Sequence, residues 1–376
     1  MVEDSNITGT YINNTAKGTS VSSGGGANFF FDVVKNTSIS GTYYNNFAKI
    51  NGGANFFYDV VTNVNFEGRC TLNKAEKWGG VNFFCEDIKY SNIDGTYMNN
   101  YAKLAGGANR FDAKVLNTNI TGTYDNNTAG VSGGANYYDY IIENSNISGL
   151  YANNNATRGG ANFFLTYIRS SYIDGIYNNN TAENGAANYL NTISNSNVGG
   201  LYSFNNATEH GGANFINEEI INSNFTGEYT HNYAPYGGAI YAKGNTISSI
   251  FSANFYENTG LWFGAGIYFN CTVKKSNFTG IYTKNDGYFG PGICFDLNID
   301  ECIFDANFTY NLGGDAGGAI CCRATASNCT FNGNYVGNIA FDGAALYIKH
   351  LKDSIIDANF TENFLMILVV VWILMI

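Results

Sequence analysis

Proline and charge are what this sequence is short of. Two prolines beside 45 glycines, with no glycine at every third position, exclude a collagen or polyproline chain. Charged residues make up only 13%, about half the globular average. The surface must therefore be covered by uncharged polar groups, here Asn, Thr, Ser and Tyr. Nineteen Lys and Arg against thirty Asp and Glu give a net charge of −11 with no basic stripe, which argues against a nucleic-acid partner. Disorder is excluded by the 45% hydrophobic and 16% aromatic content. The three histidines, His210, His231 and His350, are scattered and offer no metal-ligand spacing. No nucleophile elbow, phosphate loop or EF-hand pattern occurs, so no catalytic residue, metal or cofactor is expected. The opening MVEDSNITGT has neither the basic nor the apolar region of a secretory leader. Phe364 to Ile376 is a run of 13 residues without a polar group, short of the roughly 17–25 that span a bilayer as a helix.

What the sequence has is repetition. Motifs of the type GGAN begin at Gly25, Gly52, Gly79, Gly106, Gly133, Gly159, Gly185, Gly211, Gly237, Gly264, Gly290, Gly317 and Gly343, in steps of 26 or 27 residues. A second motif alternates with them, as in SNIDGTYMNNYA from Ser91 to Ala102, and occurs in fourteen copies. Two residues before its central Gly or Ala stands Ile, Val or Phe. Two residues after stands Tyr or Phe, with Cys70 the one exception. Apolar, small and aromatic residues at spacing two read as a strand with one buried face.

Five residues past the centre comes an invariant asparagine: Asn14, Asn46, Asn73, Asn100, Asn127, Asn154, Asn180, Asn205, Asn232, Asn258, Asn285, Asn311, Asn338 and Asn363. At a bend, asparagine tolerates left-handed backbone angles, and a buried column of them is expected to form an amide ladder. Glycine and asparagine recur too densely for helices, the period is too short for propeller blades, and a leucine-rich consensus is absent. The expected fold is all-β: a single-stranded right-handed parallel β-helix (β-solenoid) of about 13 coils of 26–27 residues. With strands about 4.8 Å apart it would be a rod about 60 Å long.

The array divides by the residue after GGA. Residues 1–236 form GGAN-type coils, with Asn28, Asn55, Asn82, Asn109, Asn136, Asn162, Asn188 and Asn214. Residues 237–363 continue the same solenoid in GGAI-type coils, with Ile240, Ile267, Ile293, Ile320 and Leu346. Residues 364–376 form an apolar tail, an anchor remnant or a cap, the anchor being favoured because a soluble cap needs a polar outer face.

Site signals are sparse. Asp32, Asp59 and Glu86 share one column, with Asp87, Asp112 and Asp139 nearby. Such a column could bind Ca²⁺ or serve an enzyme acting on uronate polymers, but a solvated strand end is the simpler reading. Arg110 replaces an aromatic and reads as a local outward turn. Cys294 and Cys321 share a column, as do Cys302 and Cys329, and at least one pair is expected to be oxidised in a secreted protein. Among many Asn-x-Ser/Thr sequons, Asn6, Asn119, Asn146, Asn224 and Asn277 fall at one place, three residues before the central Gly, where glycosylation is expected.

GGANFF, GGAIY and GGAIC alternating with FTGEYTHN and FDANFTYN resemble the adhesin-like, Asn/Thr-rich surface proteins of methanogenic archaea. More distantly they are similar to the repeats of the chlamydial polymorphic outer-membrane proteins. The resemblance runs from about Asn6 to Asn363. It implies a secreted, non-enzymatic adhesin at the cell surface, with glycans or proteins of another cell as partners and possible membrane contact through 364–376. Both ends read as cut, so a fragment or a split gene is expected. The alternatives are a carbohydrate-active enzyme on the same solenoid and a structural envelope spacer.

Overall fold

The computed structural model describes residues 1–365. Residues 366–376, most of the apolar tail, lie outside them. Among the described residues there is no helix, and the paired strands run parallel to their equivalents one coil away, a β-solenoid of about 13 turns. One coil shows the plan. Asn55–Phe57, Val61–Thr71 and Lys74–Ala75 are its strands, and they pair with the next coil through Asn55↔Asn82, Val61↔Ile88 and Ala75↔Ala102.

Three left-handed residues turn each coil into three walls. In this coil they are Gly52 (φ 59°), Asn63 (φ 51°) and Leu72 (φ 59°). The first corner needs its glycine pair for two separate reasons. Gly52 has the positive φ that a side chain resists, and a Cβ on Gly53 would stand 2.0 Å from the carbonyl oxygen of Gly80 in the next coil. GGAN is thus a tight corner and not a linker.

The core lies between the walls. The first wall turns Ala54, Asn55, Phe57 and Val61 inward, the second Phe66 and Cys70, the third Ala75, all essentially without solvent exposure. Equivalent rings lie flat on one another: Phe57 on Phe84 at 4.7 Å, Tyr97 on Tyr124 at 4.7 Å and Phe304 on Phe331 at 4.7 Å between centroids. That distance is the strand spacing itself, so pairing the backbone sets the rings at stacking contact.

The asparagine column from Asn14 to Asn363 makes an unbroken hydrogen-bonded ladder at the second-to-third wall corner. In a representative rung the backbone N and the Nδ2 of Asn127 both donate to Oδ1 of Asn154, at 3.0 and 3.1 Å, and Nδ2 also donates to the carbonyl of Tyr97 at 2.9 Å. The same pattern closes the array where Asn338 donates to Asn363. The left-handed angle falls one residue earlier than the sequence suggested, on Asn126 (φ 52°) and its equivalents. The ladder asparagine itself is free to turn its amide inward, where it satisfies backbone groups that the bend leaves unpaired.

A second ladder runs inside the first wall, from Asn28 through Asn55, Asn82, Asn109, Asn136, Asn162 and Asn188 to Asn214. It faces the tyrosine column of the second wall: Asn109 donates to the Tyr124 hydroxyl at 3.4 Å and Asn214 to that of Tyr229 at 3.2 Å. At Asn214↔Ile240 the strand pairing continues in register while the amide column gives way to aliphatics. Neighbouring columns compensate in volume. Inward Phe164 is followed by Leu190, Ile216 and Ala242 as Ile173 is followed by Val198, Phe225 and Phe251.

Candidate ligand-binding surfaces

The second wall presents small polar side chains. Asn6, Asn119, Asn224 and Asn277 stand exposed on it and Asn146 is half-buried. At its leading corner Asn36, Asn63, Asn65, Asn92, Asn117 and Asn119 line an open trough. The acidic column does not converge on a site. Asp32 holds the N-terminal ammonium at 3.0 Å, which keeps its carboxyl below the usual range. Asp59 accepts from the backbone N of Val60, and Glu86 is exposed to solvent. Among the described residues no group of three or more His, Cys, Asp or Glu is placed to hold a metal ion.

Outside the GG corner the chain forms a notch with its own apolar lining. Phe56 and its equivalents point away from the main core, yet most are buried, because residues just before the GG pair fold over them; Phe29 in the first coil is exposed. Phe215, Tyr241 and Tyr268 pack there against Tyr236, Phe263 and Phe289. Arg110 occupies the Phe56 column without any outward turn, since Phe83, Arg110 and Tyr137 pair in register. Its guanidinium stacks 4.8 Å from the Trp78 ring centre and 4.5 Å from that of Tyr137, and it pairs with Asp112 and Asp139. Tyr137 donates its hydroxyl to Asp139 at 2.8 Å. Burial pushes the Asp112 carboxyl up, and Arg110 opposes that shift. Cys294 and Cys321 lie buried and in register in the same notch. All eight cysteines are free thiols, and desolvation pushes Cys322 up to about 11 and Cys271 up to about 12. Such thiols behave as small apolar side chains.

The third wall changes character along the rod. Its strand is interrupted at Asn155, which makes only single bridges to Thr128 and Thr181. A shallow groove of about 450 Å³ opens there, lined by Thr128, Asn155, Thr157, Thr181, Asn206 and Thr208 among others. Beyond it every second coil carries a bulge: Asn206–His210, Thr259–Phe263 and Leu312–Ala316 each hold one residue more than the coils beside them. A bulge re-aims the side chains it carries. At the second bulge Leu261 and Trp262 project outward, leaving Trp262 52% exposed beside a Tyr288 that is 42% exposed. The two rings meet edge to face at 6.2 Å. Tyr288, but not Trp262, lines an adjoining depression of about 220 Å³ together with Thr259, Gly260, Leu261, Asp286, Gly287 and Gly314.

Neither Trp262 nor Tyr288 is marked by the repeat consensus. Their signal is a departure from it: the distance from the ladder asparagine to the GG pair alternates, as in Asn258 to Gly264 and Asn285 to Gly290. Compared with known proteins, the chain matches no family model, no curated protein and no solved structure.

Proposed function

We propose that the chain is a non-enzymatic, adhesin-like rod of the cell surface that binds glycans of another cell along its third wall. The observation supporting this reading is the edge-to-face pair of exposed rings Trp262 and Tyr288, Tyr288 lining a depression that also holds the Thr259 hydroxyl and the Asp286 carboxylate. A pyranose has an apolar C–H face that stacks on such rings and hydroxyls that hydrogen-bond at the margin. Exposed large aromatics clustered in this way mark an interaction site. The Thr/Asn groove around Asn155 adds a second, weaker place on the same wall, and two sites on one rod reinforce each other by multivalency.

The test is a glycan array probed with the folded chain, beside the Trp262→Ala/Tyr288→Ala double variant. Retention of at least one glycan class by the parent, and its loss in the variant, is the expected outcome. Absence of any retained glycan would remove the reading and favour a structural spacer. Antibody labelling of unpermeabilised cells tests the location, with surface staining expected.

A further inference from the structure

The notch outside the GG corner holds arginines of this chain by one recurring arrangement. Arg110 lies between Trp78 and Tyr137 and pairs with Asp112 and Asp139. Arg158 lies 5.0 Å from the centre of the Phe163 ring. Arg323 lies 4.8 Å from the centre of the Phe263 ring and 5.4 Å from that of Phe289, and it donates to Asp296 at 2.5 Å. A guanidinium suits such places because it is planar, stacks on ring faces and forks onto carboxylates.

At the far end of the notch, beside Arg323, there is a second such place that no arginine of the described residues fills. The column before the GG pair runs Tyr236, Phe263, Phe289 with centroids 5.9 and 5.0 Å apart, and then drops to Ala316. The missing ring leaves a cavity of about 350 Å³ lined by Phe289, Ala316 and Tyr347, with Asp296, Asp315, Asp342, Arg323 and Lys349 around it. Arg323 is committed to Asp296, and Asp315 and Asp342 make no ion pair among the described residues. Three carboxylates against two cations leave one negative charge around the cavity. We propose that this cavity receives the guanidinium of an arginine side chain from a partner polypeptide, stacked on Phe289 where Ala316 leaves room and forked onto Asp315 and Asp342. The chain's net charge of −11 favours the approach of a cationic partner.

Acetyl-arginine amide titrated into the full chain and followed by NMR tests this. Saturable shifts of signals from Phe289 and Tyr347 are expected, with acetyl-lysine amide about tenfold weaker or more because an ammonium neither stacks nor forks. Two variants probe the cavity from opposite sides. Asp315→Asn/Asp342→Asn removes the carboxylates, and Ala316→Phe restores the missing ring and closes the space. Both are expected to weaken binding at least about tenfold, while Trp262→Ala leaves it unchanged. The proposal is overturned by a linear, non-saturating response to acetyl-arginine amide, by equal affinity for the lysine derivative, or by unaltered binding in both variants. It is also overturned if a neutral saccharide fills the cavity and arginine does not. These outcomes are independent of glycan binding on the third wall.

Discussion

Between Asn28 and Asn214 the first wall turns an amide into the core in every coil; from Ile240 to Leu346 the same position is aliphatic. The first stretch pairs its amides with one another and, at Tyr124 and Tyr229, with tyrosine hydroxyls. The second fills the space with Ile and with the larger Phe251, Phe278, Phe304 and Phe331. The strand register passes through the change without a break, so the solenoid is indifferent to core polarity provided each column is internally consistent. A column of amides satisfies itself, and so does a column of methyl groups. A mixed column does neither, because an isolated buried amide lacks partners. The corner ladder from Asn14 to Asn363 is shared by both stretches, because the backbone at that bend needs an acceptor and a donor whatever the core contains.

Four perturbations break or sharpen this contrast. The largest effect is expected at the shared ladder. Asn154→Ala removes the acceptor for two donors of Asn127 and the donor to the Tyr124 carbonyl. With three buried groups losing partners at about 1–3 kcal/mol each, the cost is expected to be about 4 kcal/mol by urea unfolding. Asn285→Ala in the second stretch should cost the same within error, and a large difference would show that the ladder is not shared.

Next come exchanges of character between the two stretches. Ile267→Asn buries an amide among aliphatics and is expected to cost about 3 kcal/mol. Asn136→Ile leaves Nδ2 of Asn109 and Oδ1 of Asn162 without their partner and is expected to cost about 2 kcal/mol. Replacing all eight amides of the column together should cost far less than eight times the single change, since both partners of each bond then vanish.

Third is alkaline lability. Burial holds the hydroxyls of Tyr97, Tyr124, Tyr177 and Tyr202 well above the ordinary range. A folded-state pKa above the unfolded one means that this stabilisation is complete below about pH 10 and is lost as pH rises further. Phe255 and Phe308 interrupt the tyrosine column in the second stretch. Hydrogen exchange above about pH 10 should therefore show the first stretch opening before the second. The reverse order would contradict the assignment.

The smallest effect is one of sign. The Tyr124 hydroxyl accepts from Asn109, whereas that of Tyr282 is buried without a partner. Tyr124→Phe is expected to destabilise by about 1 kcal/mol, and Tyr282→Phe to be neutral or stabilising by a similar amount. Thermal melts of the two variants decide it.

The solenoid was legible in the sequence because stacking forces chemically equivalent residues into equivalent places, so its constraints reappear every 26 or 27 residues. The glycine corner, the apolar–small–aromatic strand and the asparagine column all follow from that. What a column cannot reveal is the sense of a corner. Periodicity alone does not say which of Asn55 and Phe56 faces the core; the structure turns Asn55 and Phe57 inward and leaves Phe56 in the notch. The notch unites residues before and after the GG pair only because the chain bends concavely there, which periodicity does not encode. The bulges of the third wall were visible as an alternation of spacing. Their consequence, the exposure of Trp262, depends on which way the extra residue buckles. Arg110 was misread for the same reason: a charge in an aromatic column has an outlet in a notch that the sequence does not disclose.

The claim on which the functional account rests is that the bulged third wall, more than the regular one, carries the ligand. The direct measurement is titration of a glycan selected on the array into three full-length chains: the parent, Trp262→Ala/Tyr288→Ala, and Thr157→Ala/Thr181→Ala in the groove around Asn155. The expected result is a loss of about tenfold or more for the aromatic variant and a smaller loss for the groove variant, with unchanged melting of all three. Parent-like affinity in the aromatic variant, or a loss confined to the groove variant, would contradict it.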